Sequence, residues 1–96
     1  MRYRFMNDYG APRPFWGDDG ACGDDEPLLP SDLEREVRAW STQFEQLFDW
    51  QHGWPDEATA VAHEAEGRRL YDEVQRALPH DTITFQYWET AYRTDR

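Results

Sequence analysis

The sequence predicts an α/β (α+β) domain of two layers, ordered β-α-α-β, with a helical hairpin packed on a small two-stranded sheet. Three observations lead there. Short stretches at the two ends alternate in hydropathy with period two. Two longer central stretches carry apolar residues at three- and four-residue steps. Fifteen aromatic residues supply core volume to a 96-residue chain whose hydrophobic fraction is only 39%. One domain spanning residues 1–96 is expected at this length.

Residues 2–6, Arg-Tyr-Arg-Phe-Met, place Tyr3 and Phe5 on one face of a strand. A long acidic loop, residues 7–30, follows. It holds four of the six glycines, four of the six prolines, and six acids against the single Arg13. Tyr9, Phe15 and Trp16 anchor its first half, with Pro12 and Pro14 holding the backbone extended. Residues 17–26 form its exposed, mobile half. Ser31-Asp32-Leu33-Glu34 reads as a capping box. From there Leu33, Val37, Trp40, Phe44, Leu47 and Phe48 form one helical stripe about twenty residues long, with Gly53 as its C′ terminator. Pro55 opens a second helix at its first position, with Asp56 and Glu57 in the first turn. Its stripe is Ala60, His63, Gly67, Leu70, Val74, Ala77 and Leu78. Gly67 costs roughly 1 kcal/mol of helix propensity, which a close packing contact would offset. Pro79 ends this helix. Residues 82–88 form the last strand, with Ile83, Phe85 and Tyr87 on one face and Trp88 on the other. Residues 91–96 are a polar tail. Pairing the two terminal strands leaves both with an open edge.

Composition narrows the function classes. Twenty acids against ten bases, all Arg, give a net charge of −10. That charge repels a phosphate backbone and an anionic membrane, so no nucleic acid and no membrane is expected as partner. A basic protein is attracted. One cysteine, no signal peptide and no long apolar run point to a cytoplasmic protein.

No catalytic set is visible, and no cofactor or metal is expected. Cys22 has acids on both sides, the wrong field for a thiolate. His52, His63 and His80 lack paired-ligand spacing. His63 is instead expected as a packed, hydrogen-bonded imidazole on the small-residue stripe. Asp18-Asp19 and Asp24-Asp25 come as adjacent pairs rather than the alternating acids of a calcium loop. The acids on the helices, among them Asp32, Glu36, Glu45, Glu57 and Glu64, are interrupted by arginines, which weakens a nucleic-acid-mimic reading.

The chain also resembles a group of short acidic, uncharacterised proteins from high-GC bacteria. The resemblance is carried by Asp8-Tyr9-Gly10 through Phe15-Trp16, by Asp18-Asp19-Gly20, by Leu28-Leu29-Pro30 and by Glu66-Gly67-Arg68-Arg69-Leu70. It implies no activity, cofactor or site.

The expected function is protein binding: an inhibitor, antitoxin or immunity-type partner of a basic protein. The candidate contact residues are Asp18, Asp19, Asp24, Asp25, Glu26 and Trp88. Two other classes stand beside it. One is a small enzyme or ligand-binding module with the 7–30 loop as a lid over Tyr9, Trp16 and Trp88. The other is a structural homodimer joined through strand edges.

Overall fold

A computed structural model describes residues 1–11, 13–23 and 26–94. Its elements are β1 (Arg2–Phe5), β2 (Phe15–Gly17), β3 (Gly20–Ala21), α1 (Ser31–Leu47), α2 (Glu57–Ala77) and β4 (Thr82–Phe85). The α+β architecture with a helical hairpin on a sheet is as expected. The terminal strands pair, and they do so in parallel, Arg2 opposite Thr82 through Phe5 opposite Phe85. Parallel neighbours need a long crossover, and the two helices supply it.

Among the described residues the sheet has four strands rather than two, in the order β3-β2-β1-β4. The two additional strands come from the stretch expected as loop. Phe15 pairs with Phe5 and Trp16 with Arg4, antiparallel, and the chain turns at Asp18-Asp19 to run back as β3. β1 is therefore interior, and the expectation of an open edge on both terminal strands fails for it. β4 does lie at an edge. Thr82 and Gln86 aim their N–H groups at β1, so the backbone carbonyl of Ile83 points to the open edge, where it accepts the Tyr71 hydroxyl at 2.9 Å.

The helices cover one face of the sheet. Tyr3, Phe5, Phe15 and Ile83 from below meet Leu33, Val37, Trp40, Leu70 and Val74 from above. The Phe5 and Trp40 rings stack at 5.2 Å. A Cβ on Gly67 would collide with the Trp40 ring, so the expected close contact is there and accounts for glycine inside α2. A second cluster, Phe44, Trp54 and Ala60 with half-buried Phe48, fills the end of the hairpin. The opposite face of the sheet, with Arg2, Arg4, Thr82 and Thr84, is exposed.

Four local expectations need correction. The capping box does not form: Pro30 is the N-cap of α1 and offers no side-chain bond. The Glu34 carboxylate, which would have closed the box, is held by Arg13 and Arg38 instead. Pro55 lies two residues before α2 begins, and the N-cap is Asp56, accepting from the Thr59 amide at 2.7 Å. α1 ends at Leu47, and Gly53 closes a separate turn, at φ +82° with its amide on the Asp49 carbonyl. β4 stops at Phe85 because β1 runs out at Phe5, whose carbonyl takes the last ladder bond from Gln86. Beyond it, part of the stretch expected as a tail is docked. The Trp54 amide donates to the Ala91 carbonyl and the Arg93 amide to the Trp54 carbonyl.

Candidate functional site

The candidate residues fall at two places. Asp18 and Asp19 form the exposed tip of the β2–β3 hairpin, level with the Arg2 end of β1. Trp88 lies three residues beyond the Phe85 end of β4. At ~3.3 Å rise per residue, the two are on the order of 20 Å apart. Asp24 and Asp25 lie outside the described residues.

Arg13 braces the hairpin end. Its side chain is buried, and all five of its N–H donors are used. Nε and Nη2 grip the two oxygens of Glu34 on α1, each at 2.8 Å. Nη1 donates to the carbonyls of Gly23 and Glu26, and Nη2 to that of Pro27. The guanidinium also lies 5.0 Å from the centre of the Phe15 ring. Burial pushes the Glu34 carboxyl up, but the hydrogen bonds from Arg13 and Arg38 outweigh it and hold it below the usual range. Gly17 and residues 20–22 are thus paired into the sheet, and Arg13 ties the Gly23, Glu26 and Pro27 carbonyls to α1, in the stretch expected as a mobile half-loop. Asp18, Asp19 and Glu26 remain exposed, and none of them has an ion pair among the described residues. Cys22 is half-buried beside this clamp. Burial, then Glu26, push its thiol up, against the weaker pull of Arg13 and the Gly17 backbone.

Trp88 belongs to the other end. The residue is 42% exposed, and its ring packs edge-on against Phe44 at 5.6 Å and Phe48 at 5.5 Å. Tyr9 lies beside it, 5.2 Å from Phe44 and 6.2 Å from Trp88. The Trp88 indole donates to the Asn7 carbonyl at 2.7 Å. Beneath it is a buried carboxylate, Glu89, which accepts from the Asn7 side chain at 3.0 Å and the Trp88 amide at 3.1 Å. The Glu89 carbonyl accepts the Trp54 indole at 2.8 Å. Burial pushes the Glu89 carboxyl up, more than these bonds pull it down. The Asn7 side-chain oxygen is buried and has no hydrogen-bond partner among the described residues.

His63 is sealed behind this end, stacked on Trp40 at 4.6 Å. Its Nε2 donates to the Trp40 carbonyl and its Nδ1 accepts from the Tyr87 hydroxyl, which assigns the neutral tautomer. Desolvation brings its pKa to about 4. It is the packed, hydrogen-bonded imidazole its stripe suggested. No group of three His, Cys, Asp or Glu side chains among the described residues is placed to hold a metal ion. No described helix is long and apolar enough to cross a membrane.

The lid geometry is not seen. Tyr9 and Trp88 share a surface, but Trp16 pairs with Arg4 within the sheet and donates to the Met6 carbonyl. Residue-by-residue reading missed Arg13, Asn7 and Glu89 as organisers. A signal existed for Arg13, the one base among six acids in residues 7–30. Asn7 and Glu89 meet across 82 positions of sequence and carry none.

A comparison with curated proteins finds no match. The family model described as Serratia CdiI immunity protein-like spans residues 1–90, so the chain belongs to that family and is an immunity-type protein that acts by binding a protein partner.

Proposed function

We propose that the chain neutralises a protein toxin in the cytoplasm by docking on a basic surface of the toxin, with no chemistry performed on it. Family membership supports a toxin as partner, and the charge of −10 supports a basic one. The observation that carries the reading is the braced hairpin tip. Arg13, Arg35, Arg38, Arg68, Arg69 and Arg76 are each engaged with carboxylates of the chain itself. Asp18 and Asp19 are left facing outward on a two-strand support. Glu26, exposed on the connection that follows, adds to the negative field.

Such a field acts chiefly on encounter. Exposed charges raise the association rate and are screened by salt. The test reads the genes flanking this chain's for a toxin domain, expresses that domain, and measures its binding in low and high salt. Replacing Asp18, Asp19, Asp24 and Asp25 by Asn should slow association by about tenfold in low salt and by much less in high salt. The fold should be untouched. An association rate that ignores both salt and the four substitutions would sink the basic-surface reading.

A further inference from the structure

The aromatic end presents several exposed rings. Tyr9 and Trp88 are 46% and 42% exposed, and Phe48 is half-buried between Trp88 and the core ring of Trp54. Trp50, 74% exposed, follows two residues after Phe48. Contiguous apolar surface of this kind marks an interaction site.

The rings are held before any partner arrives. Tyr9 and Trp88 rest on Phe44, which is fully buried, and the Trp88 indole and amide are both hydrogen-bonded. Ordering these side chains on binding therefore costs little. Carboxylates rim them. Burial, followed by the charges of Asp49, Asp8 and Glu45, pushes the Tyr9 phenol up. Asp8 and Glu45 are themselves positioned: one oxygen of Asp8 accepts the Tyr9 amide at 2.8 Å, and one of Glu45 accepts the Gly10 amide at 2.9 Å. The second oxygen of each has no ion-pair partner among the described residues. Asp49 is already bonded to His52 and the Gln51 amide, and Arg93 acts on it.

We propose that Tyr9, Phe48 and Trp88, with Asp8 and Glu45, form the anchor of the toxin interface, and that this anchor takes an arginine-bearing segment of the toxin. The inference rests on the toxin-binding reading above and adds where the hold is and what it holds. Arginine fits both halves of the surface. Its flat guanidinium stacks on aromatic faces, and its fork of N–H donors matches a carboxylate, which an ammonium does not reproduce. The hairpin tip then sets how fast the complex forms, and the aromatic end sets how long it lasts.

The experiment titrates that toxin domain, as a variant that cells tolerate, with the full chain and its variants, whose folding is checked by circular dichroism. Trp88→Ala should weaken binding by about thirtyfold or more, mostly through faster dissociation. Tyr9→Ala, whose ring is half exposed, should cost about tenfold and decides the matter if the Trp88 variant fails to fold. Asp8→Asn with Glu45→Gln, which leaves the two internal hydrogen bonds available, should cost about tenfold in low salt. A complex that tolerates both ring substitutions within about threefold would overturn the anchor. Ring effects with no effect of the carboxylate pair would overturn the arginine assignment. No complex with the unaltered chain would overturn the toxin-binding reading, and this inference with it.

Discussion

At the hairpin end one buried cation holds the chain; at the aromatic end, rings do. Arg13 gathers three carbonyls and the Glu34 carboxylate around a single guanidinium, beside two short strands whose tip acids face solvent. At the other end Phe44 touches Tyr9, Phe48, Trp54 and Trp88, and the one buried carboxylate there, Glu89, has hydrogen-bond donors but no cation among the described residues. A polar clamp is directional: it specifies one backbone path and leaves its surroundings polar. A cluster of rings is adhesive on both sides, so where it reaches the surface it leaves apolar area for a partner.

The comparison breaks most visibly at its two centres. Phe44→Ala should cost about 4 kcal/mol, because a fully buried ring under four others is removed and the site cannot collapse. Denaturant unfolding should show that loss, with amide exchange rising around Tyr9 and Trp88. An effect below about 1 kcal/mol would mean that the rings merely coat the surface. Arg13→Met should cost about 3 kcal/mol, since three carbonyls and part of the Glu34 charge lose their donor. Its exchange should rise at Gly23 and Glu26 and leave Trp88 protected. Loss of protection at both ends together would show that the regions are not independent.

Acid sharpens the contrast more gently. The folded-state pKa of His63, about 4, lies below its ordinary 6.5, so between those values the unfolded chain binds the extra proton. Stability should therefore be lost as pH falls from about 6.5 towards 4, with a slope approaching 1.4 kcal/mol per unit. Glu89 acts in the opposite sense. Its carboxyl is raised by burial, so its contribution is lost as pH rises above the ordinary carboxyl value. The two partly cancel, and Glu89→Gln should expose the steeper His63 slope. A His63 imidazole titrating near 6.5 by NMR would show that this end admits water.

Local features of the fold were legible because their causes are local. The stripe from Leu33 to Phe44 and the one from Ala60 to Val74 declare helices by spacing alone, and Gly67 announces a close neighbour by its cost. Tyr3-Arg4-Phe5 and Ile83-Thr84-Phe85 declare strands by alternation. Phe15-Trp16-Gly17 is too short to show a period, and it became a strand only because Phe5 and Arg4 offered an unpaired edge. The Ser31–Glu34 box was a sound local preference overruled by a stronger, distant partner for the same carboxylate. Trp88 could be named as a contact candidate from its face of the strand, but Tyr9, Asp8 and Glu45 could not be gathered beside it, since they come from separate segments.

The sequence by itself determined the charge, the helices, the terminal strands and the aromatic supply, because composition and periodicity act through near neighbours. Tertiary structure alone decided that the acidic stretch becomes a hairpin, that Arg13 is its clamp, and that Tyr9 and Trp88 meet. Those outcomes depend on which groups compete for a limited set of buried donors, acceptors and ring faces, and that competition is settled only when the whole chain has closed around them.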